Sequence, residues 1–372
     1  MKQVRVLVVD DSALMRKLIP QMLAVDEAIN VVGTAMDGSF CLKKIEELKP
    51  NVVTLDLEMP GMNGIDTLKE IMRHNPVPVI VFSSHSTEGA SVTMKALGLG
   101  AFDFVTKPKD ASAHMSETAR ELIAKVKAAA DCKLKPRMMA GVPSKPEKPP
   151  APVGSPNKIV AIGVSTGGPQ ALEYVLSSLP GDFRGAITVV QHMPDGFTDM
   201  FARRLDEVCP LRVKEAQSGD LLLPGRVLIC PGSRHMKVKR LPLGDIAVLS
   251  DEPRVNGHRP SVDVLLRSVA EEFRGNAVGV LMSRKPSSSG HICFSFIRIT
   301  LLAWPAGISR ASLSQSCLLS SSPYCAGCPR TGDCSGVWWS LRRLWPPSRP
   351  LASQISAPTE KWKPPRERCC LD

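Results

Sequence analysis

Residues 159–169 read Ile-Val-Ala-Ile-Gly-Val-Ser-Thr-Gly-Gly-Pro and decide the fold of the region around them. The apolar run Ile159–Val164 is short and ends at a turn, which predicts a buried strand. Pro169 occupies the position that proline favours at the start of a helix. Gly167 and Gly168 allow the backbone to turn sharply between the two elements. A strand that passes through a glycine turn into a helix is typical of an α/β domain with a parallel sheet.

The same alternation of short apolar runs and amphipathic stretches continues to Met282. Further strands are predicted at 186–190, 213–216, 227–230, 246–249 and 277–282, and helices at 169–178, 197–208 and 262–273. Strands that alternate with helices form right-handed crossovers, which bury both faces of a parallel sheet. Residues 158–282 are therefore expected to form a doubly wound α/β domain.

The region before residue 130 has the same pattern. Strands are predicted at 4–9, 31–35, 52–55, 77–82 and 102–105, and helices at 13–24, 39–48, 64–73, 88–98 and 113–130. We therefore expect residues 1–130 to form another doubly wound parallel-sheet domain. Residues 131–157 join the two domains and are rich in Pro, Lys, Gly and Ser, which predicts a semi-rigid, solvated linker.

Length and charge limit the classes of function. The chain has 372 residues, of which 43% are hydrophobic, and this is sufficient for two buried cores. The formal charge is +11, but 12 of the 47 Lys and Arg and only 4 of the 36 Asp and Glu follow Met282. The first 282 residues are thus nearly neutral, and no specific nucleic-acid partner is predicted. No apolar run approaches the ~18 residues of a membrane span, so we do not expect an integral membrane protein.

The last part of the chain, residues 283–372, has a different composition. It contains all five Trp and seven of the eleven Cys, and it has no usable helix or strand period. We expect it to be an irregular, mostly disordered tail. The cysteines before Met282 are scattered singly, as in proteins of a reducing cytosol, so a cytoplasmic location is predicted.

Three carboxylates are predicted to meet at one edge of the first sheet. Asp10 and Asp11 end the first strand and Asp56 ends the third, and the carboxyl ends of parallel strands share an edge. Crowded carboxylates repel one another, and Mg²⁺ relieves this repulsion through its preference for oxygen ligands. Asp56 could accept a phosphoryl group there. Ser83 and Lys107 follow the fourth and fifth strands, from which both could donate to phosphoryl oxygens.

The same positions resemble the response-regulator receiver family over about residues 2–125. The matching segments are Asp10-Asp11, Leu55–Gly64, Ser83 and Lys107-Pro108. The resemblance implies a flavodoxin-like receiver in which a histidine kinase phosphorylates Asp56, with Mg²⁺ held by Asp10, Asp11 and Asp56. The family's switch positions fall on Ser83, Phe104 and Lys107. For Phe104 taken alone, core packing remains an equal interpretation.

A serine and a histidine are predicted to meet at the corresponding edge of the second sheet. Ser165 lies in a turn that also contains Gly163, Thr166, Gly167 and Gly168. Free backbone N–H groups at such a turn could stabilise an oxyanion. Because serine is a weak nucleophile at neutral pH, it needs a base within hydrogen-bond reach. His192 follows the next strand and is positioned to be that base.

Two other interpretations of these residues stay open at this point. A glycine turn after a first strand also binds dinucleotides, although the chain reads Arg184–Ile187 about twenty residues on, where an acidic ribose ligand is expected. Each of His192, His235 and His258, taken singly, is also consistent with a structural role.

Four segments occur in an order that resembles the chemotaxis receptor methylesterase family, CheB. They are Gly-Val-Ser-Thr-Gly-Gly at 163–168, Gln-His-Met-Pro at 191–194, Pro-Gly-Ser-Arg-His-Met at 231–236 and His-Arg-Pro-Ser-Val-Asp at 258–263. The resemblance implies a Rossmann-like hydrolase that removes methyl esters from chemoreceptor glutamates and also deamidates receptor glutamines. Ser165 would be the nucleophile and His192 the base, without a cofactor. The unphosphorylated receiver would cover the active site.

The resemblance to this family stops after Met282. The family continues into a loop that carries the third triad residue, an aspartate, whereas this chain reads Ser283–Pro286 and its next aspartate is Asp333. The acid and the final strands are predicted to be missing, which leaves one sheet edge unpaired. We interpret the change as a frameshift near codon 283. The alternative is a zinc-binding appendage with ligands from Cys317, Cys325, Cys328 and Cys334.

Loss of the third triad acid leaves two functional hypotheses. The first is a methylesterase whose activity is impaired, because the base lacks the group that orients it. The second is a catalytically inactive receiver protein that takes phosphate from the kinase and acts as a phosphate sink or a binding partner.

Overall fold

The structure, a computed structural model, describes most of the chain up to Met282. The described residues are 3–84, 86–107, 115–132, 148, 154, 156 and 158–282, together with the backbone of 297–301. The chain divides into two compact units, Met1–Arg310 and Ala311–Asp372, and every described residue belongs to the first. Most of the predicted linker, the four predicted zinc ligands and Asp333 lie outside the described residues. Within the described part, no helix has the length and apolar character needed to cross a bilayer.

The first domain is built on a five-stranded sheet. Its strands are β1 (Val4–Val9), β2 (Ile29–Ala35), β3 (Val52–Asp56), β4 (Val79–Ser83) and β5 (Asp103–Thr106), and its helices are α1 (Ala13–Leu23), α2 (Gly38–Leu48), α3 (Gly64–His74), α4 (Thr87–Gly98) and α5 (Met115–Ala130). All neighbouring strands are parallel, in the order β2-β1-β3-β4-β5. The predicted doubly wound fold of this region is confirmed.

Burial and capping explain why these residues form these elements. Every residue of β3 and β4 is buried, as expected for continuous apolar runs covered by helices on both faces. Four helices begin at a side chain that accepts a hydrogen bond from a free backbone N–H, and these caps are Ser12, Asp37, Asn63 and Ser86. The carboxyl edge of the sheet is thus held between a packed core and fixed helix starts.

The second domain contains a larger sheet and a separate hairpin. Its strands are β6 (Ile159–Val164), β7 (Ala186–Gln191), β8 (Arg212–Glu215), β9 (Arg226–Ile229), β10 (His235–Lys239), β11 (Ile246–Ser250), β12 (Ala277–Met282) and β13 (Ile297–Leu301), and its helices are α6 (Gly168–Ser177), α7 (Phe197–Val208) and α8 (Val262–Phe273). The sheet order is β13-β12-β6-β7-β9-β8, and β10 pairs with β11. The strands from β12 to β8 are parallel, so a second doubly wound domain is confirmed.

The prediction that no strand follows Met282 is wrong. β13 pairs antiparallel with β12, from Val278 opposite Leu301 to Met282 opposite Ile297, so the edge that was expected to be unpaired carries a strand. Residues 297–301 read Ile-Arg-Ile-Thr-Leu, and β-branched residues suit a pleated surface. The Ser, Pro and Cys around this short segment conceal its pattern.

Strand β10 is not predicted from the sequence. It reads His-Met-Lys-Val-Lys, and its ionisable side chains conceal an alternation in which Met236 and Val238 are buried. His235 is also fully buried, because both of its ring nitrogens have hydrogen-bond partners. Hydrogen bonds formed in the folded protein therefore allow His235 to be buried, although the hydropathy of this segment does not predict burial.

Candidate active site

Three carboxylates meet at the carboxyl edge of the first sheet. One oxygen each of Asp10, Asp11 and Asp56 lies within 4.8 Å of the other two. Asp10 is 0% exposed and Asp56 is 2% exposed. Burial raises the pKa of both of these carboxyls above the ordinary value, and the nearby Lys107 opposes the rise. The structure thus brings together the three predicted acidic residues and the predicted lysine.

Lys107 bridges the two buried carboxylates. Its Nζ lies 2.6 Å from Asp56 Oδ2 and 3.4 Å from Asp10 Oδ2. Asp10 Oδ2 is nevertheless buried without a hydrogen bond. A buried carboxylate oxygen with no hydrogen bond, and with only an ion pair that it shares with Asp56, is costly when ionised, and a hard cation relieves that cost. The donor set therefore fits Mg²⁺.

The two remaining predicted switch side chains contact helices. The Ser83 hydroxyl donates to the carbonyl oxygens of Gly89 at 3.1 Å and Ser84 at 3.2 Å, and it accepts from Thr93 Oγ1 at 2.6 Å. Two of these three bonds are with α4. The Phe104 ring is 3% exposed and stacks on Phe197 of α7, with centroids 5.0 Å apart and planes at 5°. Phe104 therefore packs against the second domain, a contact that the sequence does not predict.

Ser165 and His192 emerge side by side from neighbouring strands. β6 and β7 are parallel and pair Val164 with Gln191, so the next residue of each strand leaves the sheet at the same edge. Ser165 Oγ lies 3.2 Å from His192 Nδ1, within hydrogen-bond reach. The structure thus brings together the serine and histidine that the sequence pairs.

The turn that carries Ser165 is held by close backbone contacts. Gly167 has φ +69°, a conformation that suits glycine. A Cβ at Gly168 would lie 1.9 Å from Gln191 Oε1 and 2.9 Å from Val164 Cγ2, so a larger residue there would displace both side chains. The carbonyl oxygen of Ser165 accepts from the Gly168 N–H at 2.8 Å and from Gln191 Nε2 at 3.1 Å. These bonds fix the turn against the end of β7.

A carboxylate of the first domain is bound to this turn. The Gly167 N–H donates to Asp103 Oδ2 at 2.7 Å. Asp103 begins β5, is 2% exposed, and places Oδ1 3.3 Å from Lys125 Nζ, which also lies 2.7 Å from Glu121 Oε1. Burial lowers the pKa of Lys125, but the two carboxylates outweigh burial and raise it, so the lysine is charged. We refer to Asp103, Glu121 and Lys125 as the latch.

A pocket of about 400 Å³ opens beside Ser165. Its walls from the second domain are Val164, Ser165, Thr166, His192, Val262, Leu281 and Met282. Ala124 and Ala128 of α5 complete the lining. The sequence does not indicate the latch or these alanines, because an aspartate at a strand start and alanines on an amphipathic helix are common surface or core features.

The imidazole of His192 lies in an environment that disfavours its charged form. Its pKa falls from the ordinary 6.5 to about 4, first because burial removes water and then because His258 and Lys125 add positive charge, while Asp263 opposes the fall. The His258 ring stacks on the His192 ring with centroids 4.1 Å apart and planes at 11°. At neutral pH His192 is therefore unprotonated, the state that a general base requires.

Replacement of His192 by glutamine is expected to flatten the pH dependence of the free energy of unfolding between pH 4 and 6.5. In that window the unfolded chain binds a proton at His192 that the folded chain, with a pKa of about 4, does not bind. The stabilising contribution of neutral His192 is thus complete above pH 6.5 and is lost as the pH falls toward 4. Urea unfolding across this range measures it. The His74→Gln variant changes a 61% exposed histidine and is the control; equal pH slopes in wild type and His192→Gln would contradict the prediction.

Comparisons with known proteins show to which families the two domains are similar. Two family models match the chain: a response regulator receiver domain over residues 6–119 and a CheB methylesterase over residues 160–287. A protein-glutamate methylesterase/protein-glutamine glutaminase of Koribacter versatilis is 60% identical over 290 residues, which are 75% of this chain and 80% of that protein. The chain belongs to the CheB methylesterase family. A relative of the same description from Treponema denticola is 43% identical over 308 residues, covering 76% of this chain and 83% of that protein.

Among solved structures, the CheB methylesterase catalytic domain of Thermotoga maritima is 40% identical, covers 37% of this chain and 73% of that chain, and has a TM-score of 0.33. Membership of the CheB methylesterase family makes the first domain a response-regulator receiver, whose phosphorylation is typically Mg²⁺-dependent. It makes the second domain that of a carboxylic ester hydrolase. The latch and α5 are thus receiver elements that contact the hydrolase domain.

Proposed function

We propose that this chain is a phosphorylation-controlled protein-glutamate methylesterase of the cytoplasm that acts on methyl-accepting chemoreceptors in sensory adaptation, and that it also deamidates receptor glutamines. The observation that carries the proposal is the 3.2 Å contact between Ser165 Oγ and His192 Nδ1 in a pocket partly walled by the receiver. Family membership supplies the reaction class, ester hydrolysis at glutamate.

The reaction begins when Ser165 Oγ attacks the ester carbonyl of a methylated glutamate. His192 takes the serine proton and returns it to methoxide, which leaves as methanol, so that an acyl-serine remains. His192 then removes a proton from water, the resulting hydroxide cleaves the acyl-serine, and His192 returns the proton to Ser165 Oγ, so that glutamate and free Ser165 are released. Backbone N–H groups of the Ser165 turn stabilise the oxyanion in each step: that of Thr166, and that of Gly167 once Asp103 releases it, whereas the Gly168 N–H is bonded to the Ser165 carbonyl oxygen.

The receiver controls access to this turn. Asp56 accepts a kinase-derived phosphoryl group, and Lys107 donates to the phosphoryl oxygens. Asp10, Asp11 and Asp56 would hold Mg²⁺, which would neutralise charge there. Lys107 follows β5, and Asp103 begins it. At ~3.3 Å per residue in a strand, the two side chains are joined by a rigid element about 13 Å long. The phosphorylation site and the carboxylate that binds Gly167 are therefore linked through one strand, β5.

The domain limits belong to the same proposal. Residues 1–130 are the receiver, 131–157 the linker, 158–282 a truncated catalytic domain, and 283–372 a tail that results from a frameshift near codon 283. Among the described residues, no carboxylate is hydrogen-bonded to the His192 ring. This observation favours the second candidate function, an inactive receiver protein that serves as a phosphate sink.

A methanol-release assay with methylated receptor fragments tests both candidates. Acetyl phosphate with Mg²⁺ is expected to accelerate methanol release by the full chain about 5- to 150-fold, the range of typical coupling between two sites. Asp56→Asn should abolish this acceleration. The control Asp66→Asn, which changes a half-exposed carboxylate on α3, should keep it. Acylphosphate on Asp56 without any methanol would overturn the esterase proposal and support the phosphate sink.

A further inference from the structure

A tight turn at Val255–His258 presents one histidine to the candidate base. Val255 and His258 exchange two backbone hydrogen bonds of 3.1 Å each. The two residues between them, Asn256 with φ 52° and Gly257 with φ 79°, are left-handed. This is the backbone of a two-residue type I′ turn, for which Asn-Gly is the preferred sequence. The position of His258 is therefore encoded locally by its two preceding residues.

Hydrogen bonds with residues outside the turn also hold it in place. His235 Nδ1 accepts from the Ser261 N–H at 3.1 Å, so the neutral ring carries its proton on Nε2, which donates to the carbonyl oxygen of Pro253 at 3.1 Å. One buried imidazole thus joins the two sides of the loop. Asn256 Nδ2 donates to Asp263 Oδ2 at 2.6 Å and ties the turn to α8. The loop behaves as a fixed support instead of a mobile connection.

The loop places the ring of His258 against the ring of His192. The rings are 4.1 Å apart and nearly parallel, while the hydrogen bond of the His192 ring, among residues that the structure describes, runs to Ser165. In a serine hydrolase triad a carboxylate fixes the plane of the imidazole. Here the flat face of a second imidazole restricts rotation of His192 about its Cβ–Cγ bond.

We propose that His258 is a positioning residue that holds the His192 ring plane so that Nδ1 faces Ser165 Oγ. The proposal rests on the function proposed above, since it assigns the partner of the same base. His258 acts through His192 and touches no reacting atom. Burial first, and then repulsion from positive charge at His258, lowers the pKa of His192. The other charged groups that act on His192 are Lys125 of α5 and Asp263 of α8.

Two substitutions of His258 distinguish the effect of a stacked ring from the effect of the ring nitrogens. In the full chain, His258→Ala removes the stacked ring, whereas His258→Phe keeps a flat ring without its nitrogens. His258→Ala should lower the rate at which a fluorophosphonate labels Ser165 by ~10- to 100-fold at pH 7.5, the cost of a misplaced catalytic group. His258→Phe should stay within about threefold of wild type. His74→Ala is the control on an exposed histidine.

The titration of His192 is the second readout and does not depend on catalysis. Followed by NMR of its ring protons, the pKa should rise from about 4 toward 6.5 in His258→Ala, and should change less in His258→Phe, since burial is the first cause of the shift. An unchanged titration and labelling rate in His258→Ala would overturn the proposal, as would a His258→Phe variant as defective as His258→Ala. If wild-type Ser165 is not labelled, the esterase function fails, and the titration alone decides the role of His258.

Discussion

Replacement of Ser165 by alanine is expected to lower ester hydrolysis by the full chain at least ~10³-fold. The hydroxyl lies 3.2 Å from His192 Nδ1, and no other group in the described pocket wall can form the acyl intermediate while bonded to a base. Truncation to alanine leaves the turn intact, because its conformation depends on Gly167, Gly168 and Gln191.

Ser177→Ala is the matched control for this prediction. Ser177 lies on α6 of the same domain and is exposed, and among the described residues its hydroxyl bonds to the carbonyl oxygen of Tyr174. Its loss should therefore leave hydrolysis unchanged. Methanol release and fluorophosphonate labelling measure the two variants in parallel. Residual hydrolysis near the wild-type rate in Ser165→Ala would show that another residue is the nucleophile.

Replacement of Asp103 by alanine is expected to free the nucleophile turn without phosphorylation. The variant removes the acceptor of the Gly167 N–H and one of the two carboxylates around Lys125. A hydrogen bond to a charged group contributes about 1.5–3 kcal/mol. The equilibrium between the turn bound by the receiver and the turn released from it should therefore shift by ~10- to 100-fold toward release. Faster amide exchange in the peptide that contains Gly167 and faster labelling of Ser165 should follow.

Glu117→Gln is the control because it breaks a different contact between the same two domains. Glu117 and Arg254 are 3.3 Å apart, and their side chains are 61% and 62% exposed. Exposed ion pairs contribute about 0–1 kcal/mol, so exchange and labelling should change by less than about fivefold. The double variant Lys125→Met with Asp103→Ala also removes the buried cation that Asp103→Ala leaves with Glu121 alone, and it separates release of the turn from instability of the receiver. Equal behaviour of Asp103→Ala and Glu117→Gln would contradict a specific role for the latch.

Most of the architecture is predictable because hydrophobic period and chain direction are local properties. Alternating apolar runs place β1, β3, β6 and β7, and a parallel sheet must bring their carboxyl ends to one edge. That rule alone predicts the meeting of Asp10 with Asp56 and of Ser165 with His192. It does not predict β10 or β13, since the first conceals its pattern among charged residues and the second lies in a tail of unrelated composition.

Contacts that join the two domains are not predictable from local sequence patterns. Asp103, Phe104 and Ala128 occupy ordinary positions in their own elements, and nothing in their neighbours along the chain marks them as partners of Gly167, Phe197 or the pocket. The stack of His258 on His192 is only partly predictable. The Asn-Gly pair predicts the turn that carries His258, but nothing in the sequence predicts that its ring packs on His192.

The amino-acid sequence by itself determined two parallel-sheet domains, the residues at the carboxyl edge of each, and their likeness to one family, because these follow from periodicity and short motifs. Tertiary structure alone decided that a receiver carboxylate occupies the Gly167 N–H, that α5 walls the pocket, and that a second imidazole lies on the candidate base. The reason is physical: these contacts depend on how two separately folded surfaces meet, and shape and burial across an interface have no period along one chain.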